Sequence, residues 1–211
     1  MGLNNNIILR SAAEDDVDEM LDVFLSAFHD SILNPVCFPT SDPMTLKSHR
    51  SHITKNLSEL LIAEDASAAA GPSGKRPILG WVHWVRKPTP QLRAPTTMTN
   101  DMFPPTGDQD FARRYYQCNA DASARIMHGR PHWHLSIIVV RRDAQRRGVG
   151  ANMLRHGLDK ADEEGWLVYL NSSVGGRPMY EAFEFRTIEA THFDHGLVSW
   201  HMLRKPKGIR N

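Results

Sequence analysis

Residues 134–150 read HLSIIVV followed without a break by RRDAQRRGVG, an apolar run giving way to four arginines and two closely spaced glycines. The β-branched run predicts a buried strand. A simple turn after it would need one glycine. The residues beyond, RRGVGANMLRHGLDKADEEG at 146–165, have helical period: Leu154, Gly157, Leu158 and Ala161 form one buried stripe, and Gly165 is placed to end it. Without Cβ atoms, Gly148 and Gly150 let backbone approach a ligand closely. The first amides of a helix have no intrahelical acceptor and suit an anion. Strand, open turn and helix together predict a pyrophosphate cradle, with Arg146, Arg147 and Arg142 adding charge.

Two familiar phosphate loops do not fit. GPSGKRP at 71–77 has the wrong spacing for a Walker loop and lacks its hydroxyl, and a dinucleotide fingerprint would need glycine or alanine where Met153 stands.

Outward from this segment, NIILRSA predicts a first strand, and Asp16–Phe28 a helix with Val17, Met20, Leu21, Phe24, Leu25 and Phe28 on one face. Asn34-Pro35 and Phe38-Pro39 read as chain breaks, and Pro43–Asn56 as a second helix. ELLIAED and PILGWVHWVRK read as strands, Gln109–Met127 as a helix and HWHLSIIVV as a strand. WLVYLNSS, the short helix GRPMYEAF and two final strands, about Phe185–Ala190 and Leu197–Leu203, complete the order. Residues 66–77 and 88–108, rich in small residues and proline, are expected to be flexible loops. With no internal repeat, one domain over 1–211 is expected.

Composition narrows the function classes. The chain has 211 residues, 41% hydrophobic and 23% charged, with a formal net charge of +1. So small a charge gives no overall pull toward nucleic acid. A nucleic-acid module built on Arg130, Arg141, Arg142, Arg146 and Arg147 would bring an aromatic-basic stripe, which is lacking. Neither a signal peptide nor an apolar run of membrane length is visible, so no membrane partner is expected. Two distant cysteines, Cys37 and Cys118, read as reduced thiols. The expected compartment is the cytoplasm, or the nucleus.

QRRGVG after IIVV resembles the Gln/Arg-x-x-Gly-x-Gly/Ala signature of the GNAT superfamily of N-acetyltransferases, which bind acetyl-coenzyme A. The likeness continues through VYLNSSVGGRPMYEAFEF to the C-terminus, well over residues 131–205 and by element order alone before that. The layout is similar to puromycin N-acetyltransferase-like small-molecule acetyltransferases. It departs at Glu184, where the family usually has glycine. The resemblance implies an α/β (α+β) fold: a mixed, mostly antiparallel sheet of about seven strands, splayed in the middle and flanked by helices. Residues 131–190 would form the acetyl-CoA-binding core. Ile138, Val139, Val140, Gln145, Arg146, Arg147, Gly148, Val149, Gly150, Ala151, Asn171, Ser173 and Tyr180 would contact the cofactor. Free amides near Ile138 and Val140 would hold the pantetheine arm and polarise the thioester carbonyl. Tyr180 matches the tyrosine that protonates the departing thiolate, although packing beside Phe183 and Phe185 is its alternative role.

An alkyl ammonium of pKa near 10.4 is neutral in about one molecule in 2500 at pH 7, a deficit of roughly 4–5 kcal/mol. A base would help. Relatives place a glutamate in the strand after the long helix, where this chain has Asn171, and an amide cannot take a proton. His132 and His134 share one face of their strand, with Trp133 on the other. His134, nearer the expected carbonyl, is the candidate base; the plain alternative is two partly exposed histidines at a strand start. Trp84, Trp133 and Ser172 are candidate acceptor contacts. No metal is expected, because His128, His132 and His134 lack a fourth ligand. The reading is an acetyl-CoA-dependent N-acetyltransferase acting on a primary amine, as monomer or homodimer. A coenzyme-A-binding protein without catalysis, or an enzyme acting on protein lysine or N-terminal amines, is the alternative.

Overall fold

Alternation and helical period place the elements nearly where the sequence reading expects them. The computed structural model describes residues 6–71, 74–88 and 97–208. The strands are β1 (Ile7–Ser11), β2 (Leu60–Asp65), β3 (Ile78–Lys87), β4 (His132–Val140), β5 (Leu167–Ser172), β6 (Arg186–His192) and β7 (Val198–Arg204). The helices are α1 (Val17–Ala27), α2 (Leu33–Cys37), α3 (Pro43–Lys55), α4 (Gln109–Met127), α5 (Val149–Glu164) and α6 (Arg177–Ala182). The strands order β1-β2-β3-β4-β5-β7-β6 in one seven-stranded sheet, so the last strand inserts before the sixth. Contacts cluster into two compact units, Met1–Asp30 with Lys47–Val85 and Leu135–Asp159, and Ser31–Leu46 with Arg86–His134 and Lys160–Asn211.

In the first unit β1, β2 and β3 pair antiparallel. One face of β3 packs Ile78 and Trp81 against Val17, Met20 and Val23 of α1, with Ile53, Leu60, Ile62 and Val139 completing the core. Each such side chain contributes about 1.5–3 kcal/mol by leaving water. The indole of Trp81 donates to the Met20 carbonyl at 3.0 Å, so the largest core residue leaves no polar atom unmet. The other face of β3 carries Trp84, which lies under α5. A Cβ on Gly157 would meet the Trp84 ring at 2.1 Å, so only glycine lets the helix sit this close. Where the chain enters α1, buried Asp16 accepts from the Arg10 guanidinium at 2.6 and 3.0 Å, from Lys75 at 2.8 Å and from the Ala13 amide at 2.9 Å. Burial alone would raise the Asp16 pKa. Those four donors outweigh it and hold the carboxyl far below its usual range.

In the second unit β7 pairs antiparallel with both β5 and β6. The α4 helix is capped by Asp108, whose carboxylate accepts from the Phe111 amide at 2.8 Å, and ends at His128 in the left-handed region. Its buried Phe111 and Ala112 pack with Cys37, Phe38 and Phe103, joined by Tyr116. The break expected at Asn34-Pro35 is instead a short helix, α2. Pro35 is its third residue, in the first turn, where a missing N–H costs nothing. Of the two expected loops, residues 72–73 and 89–96 lie outside the described residues. Residues 100–102 form a 3-10 turn, and Phe103 beyond it is buried against Tyr116, ring centroids 5.5 Å apart.

Candidate active site

The turn after β4, where the sequence reading expects a cradle, is built by local means. The Arg141 amide donates to the Leu79 carbonyl at 2.9 Å, which anchors the end of β4 to β3. A 3-10 turn over Arg142–Ala144 follows, and Gln145 Nε2 donates back to the Val140 carbonyl at 3.2 Å. Arg146 (φ 63°) and Gly148 (φ 85°) both take left-handed backbone. Glycine adopts this freely, whereas arginine pays about 1–2 kcal/mol. Buried Ala144 and Val149 pin the loop at each end, leaving Gln145, Arg146 and Arg147 exposed between them. At the start of α5 the Gly148 carbonyl accepts from the Asn152 amide at 3.0 Å and from Asn152 Nδ2 at 3.1 Å. The amides of Val149, Gly150 and Ala151 belong to the first turn and have no intrahelical acceptor. On β4, Ile138 and Val140 are half-buried, while Val139 points into the first unit's core.

The four arginines differ in use. Arg141 pairs with Asp143 at 2.7 Å and Arg147 with Asp65 at 3.6 Å. Arg142 pairs with Asp30 at 2.9 Å, and its amide donates to Ser26 Oγ at 3.3 Å, which ties the loop to the end of α1. Among the described residues, Arg146 alone of the four has no carboxylate partner.

In the second unit Tyr180 sits in α6, 6% exposed, its ring edge-on to Phe185 at 5.8 Å. Burial pushes its phenol pKa up, so it stays a proton-bearing donor. Gly176 lies against it, and a Cβ there would stand 3.1 Å from Tyr180 Cε2. Ser172 is buried and donates to the Ser173 carbonyl at 2.7 Å, while exposed Ser173 Oγ accepts from the Gly176 amide at 3.3 Å. Glu184, just after α6, has φ 69°, the conformation for which glycine is suited.

His134 is half-buried, its ring 5.6 Å from that of Tyr169. His132 is buried and donates from Nδ1 to the Arg130 carbonyl at 2.7 Å. Burial lowers its pKa, with Lys87 and Arg130 adding to the effect and the Arg130 carbonyl opposing it. Trp84 and Trp133, expected against the acceptor, are both buried in packing. The Trp84 indole donates to the Met153 carbonyl at 3.2 Å, and the Trp133 indole to Glu164 at 3.0 Å. Glu164 also accepts from Arg86 at 2.9 Å, whose guanidinium stacks over Trp166.

A polar network that sequence reasoning missed surrounds Asn171. Asn171 Nδ2 donates to Asn119 Oδ1 at 2.6 Å and lies 3.3 Å from His201 Nδ1. Asn119 Oδ1 also accepts from Ser199 at 2.6 Å. The Tyr169 hydroxyl meets His201 Nδ1 at 2.9 Å, and His201 Nε2 meets Thr191 at 3.0 Å. Tyr169 and His201 are fully buried. Two-residue alternation was the available signal: it puts Tyr169 with Asn171, and Ser199 with His201, on single strand faces. Among the described residues no group of three acids, histidines or cysteines could hold a metal, and no helix is long and apolar enough to cross a membrane.

Residues 109–205 match the family model of the acetyltransferase (GNAT) domain. No curated protein matches the chain in sequence. Among solved structures, the chain is similar to histone acetyltransferase HPA2 and related acetyltransferase from Corynebacterium glutamicum, at 20% identity and TM-score 0.63 over 98% of this chain and 99% of that one. A mosquito arylalkylamine N-acetyltransferase like 5b aligns at 13% identity and TM-score 0.65 over 94% and 99%. The NatC complex bound to Gag peptide and CoA aligns at 10% and 0.54 over 96% and 99%. The chain thus shares the fold of these acetyltransferase structures along nearly its whole length, and its residues 109–205 match the acetyltransferase (GNAT) domain.

Proposed function

We propose that the chain acts as one acetyltransferase domain, in the cytoplasm, and moves an acetyl group from acetyl-CoA to a primary amine of a small molecule by direct attack in a ternary complex. The observation carrying this reading is the turn between β4 and α5. Arg146 and Gly148 take left-handed backbone there, and the amides of Val149, Gly150 and Ala151, without an intrahelical acceptor, would receive a diphosphate beside the Arg146 guanidinium, which has no carboxylate partner among the described residues. The bound thioester supplies an acyl carbon with a tolerable leaving group. The amides of Ile138 and Val140 on β4 would hold the pantetheine arm and steady the developing oxyanion. Asn171 and Ser173 would complete the cofactor contacts. His134, placed earlier on β4 than the pantetheine residues, would take the proton of the attacking amine.

Tyr180 would donate toward the leaving sulfur. Its pKa, pushed above the ordinary phenol value by burial, makes full proton transfer to a thiolate of pKa about 8.5 uphill. Its contribution is therefore a hydrogen bond to the thiolate, with the proton arriving from solvent afterwards. Small-amine acceptors fit the likeness to the arylalkylamine enzyme. Acetyl-CoA is also met in the compartment where the free thiols of Cys37 and Cys118 stay reduced.

The test is free-thiol release from acetyl-CoA with a panel of small amines, lysine peptides and peptides with free N-termini, together with calorimetry of CoA binding. Release with small amines is expected. Turnover confined to peptides would refute the acceptor class, and a folded protein that takes up no CoA would end the proposal.

A further inference from the structure

The network around Asn171 fixes which way a side-chain amide faces. His201 Nε2 sits on the Thr191 hydroxyl at 3.0 Å, while Nδ1 meets the Tyr169 hydroxyl at 2.9 Å and Asn171 Nδ2 at 3.3 Å. An amide nitrogen can only donate, so the Nδ1 beside it must be the acceptor and Nε2 must carry the hydrogen. Ser199 and Asn171 both donate to Asn119 Oδ1, and Asn119 Nδ2 donates to the Tyr115 carbonyl at 2.9 Å, so the same orientation is reached from the other side. Both hydrogens of Asn171 Nδ2 are thus directed into the network. The carbonyl oxygen, on the other side of the same planar amide, points away from it. Asn171 is the half-buried penultimate residue of β5, followed at Ser173 and Val174 by exposed chain.

We infer that His201 is a positioning residue: in its neutral Nε2–H form it locks Asn171 with the carbonyl oxygen outward, ready to accept an N–H from a bound ligand, and on protonation it turns that amide over and withdraws the acceptor. The chain of events follows from donor counting. A protonated Nδ1 donates to the Tyr169 oxygen, whose own hydrogen can turn to Ser123, and it stands donor to donor against Asn171 Nδ2 at 3.3 Å. Turning the Asn171 amide over relieves that clash, breaks its bond to Asn119 and presents NH2 to the ligand. The charged and titratable groups facing His201 are Glu189 of β6, Arg125 of α4 and Tyr169 of β5, with His134 of β4 against Tyr169. Arg125 and Glu189 pair with each other, which mutes both. Burial dominates and pushes the His201 pKa below the ordinary 6.5, with Glu189 opposing and Arg125 assisting. The locked form therefore prevails at neutral pH.

This rests on the acetyltransferase reading proposed above. The N–H donor has two sources, a pantetheine amide of acetyl-CoA or the acceptor amine, and separate KM values for the two substrates identify it. In the wild type, the KM of one substrate is expected to rise about tenfold, the worth of one hydrogen bond, as pH falls through the His201 titration below 6.5, with kcat moving less. The amine's own ionisation is common to all variants and cancels in the ratio to wild type. His201→Gln, which keeps a proton-free acceptor, should lose this acid limb, and Asn171→Leu should show the raised KM at every pH. Ring 15N shifts of His201 should report the Nε2–H form at pH 8 and decide the orientation even in protein that transfers no acetyl group. An Nδ1–H ring, an unchanged acid limb in His201→Gln, or wild-type KM for both substrates in Asn171→Leu would overturn the inference.

Discussion

Gly157→Ala sets two effects of opposite sign against each other, and the packing of α5 decides between them. In a helix interior this substitution ordinarily stabilises by about 1 kcal/mol. Here the new methyl would lie 2.1, 2.4 and 2.5 Å from three atoms of the Trp84 ring system. Carbon atoms pack at roughly 3.5–4.0 Å, so about 1.4 Å must be opened between helix and ring. The ring cannot simply tilt, because its indole donates to the Met153 carbonyl at 3.2 Å and it is only 7% exposed. Overpacking of this kind costs about 1–3 kcal/mol, and disturbing the indole bond adds about 1 kcal/mol. The expected net loss is about 2 kcal/mol, or roughly 4–8 °C in Tm for a chain of this size. Because α5 begins at the cradle, the shift should also weaken CoA binding several-fold. Urea melts and CoA calorimetry on the same preparations read both effects. Trp84→Phe in the same background should recover part of the loss as a favourable coupling energy. A Gly157→Ala protein as stable as wild type, or more so, would refute the argument that glycine is required for this close approach.

Tyr180→Phe should lower kcat about 10- to 100-fold with little change in KM, as expected for a hydrogen bond made to the leaving sulfur; steady-state kinetics with undiminished kcat would leave Tyr180 a packing role only. Arg146→Ala should weaken CoA binding by about 1–2 kcal/mol, whereas Arg142→Ala, whose exposed pair with Asp30 is worth under about 1 kcal/mol, should change it less; calorimetry giving the reverse order would remove Arg146 from the phosphate contacts. The depressed Asp16 pKa means that the folded state binds this proton less readily than the unfolded one, so its stabilisation is present above about pH 4 and drains away as pH falls toward the depressed value. Asp16→Asn should cost about 3 kcal/mol at pH 7 and flatten the acid limb of a stability profile; a variant whose acid limb matches wild type would contradict this.

The strands and long helices were legible because each carries its period in one continuous stretch: Leu154, Leu158 and Ala161 on α5, Val17 and Met20 on α1. The turn from β4 into α5 was legible for the same reason, since strand end, loop and helix start are consecutive residues. The α2 helix was not, because a proline in the first turn is compatible with a helix yet looks like a break from outside. At Glu184, where the family resemblance leads one to expect glycine, the backbone takes φ 69°, a conformation glycine adopts freely. The Asn171 network was out of reach for a different reason. It depends on β7 running between β5 and β6, so that His201 is the register partner of both Asn171 and Glu189. Residues 171, 189 and 201 have no local relation, and only the strand order brings them together.

The arginines that draw attention in RRDAQRRGVG turn out to carry less of the anion chemistry than their number suggests. Three of the four spend their charge on Asp143, Asp30 and Asp65, which shapes the loop and fastens it to α1 and β2. Among the described residues Arg146 is the one of these four without a carboxylate partner, so the proposed diphosphate site would rest on its guanidinium and a row of helix-start amides. Those amides carry partial positive charge that no rotamer change can withdraw. The left-handed backbone at Arg146 holds between Gln145 and Gly148 the guanidinium that has no carboxylate partner among the described residues. A loop read from sequence as a cluster of charges is, in structure, chiefly a shaped piece of backbone, with three arginines as its fasteners.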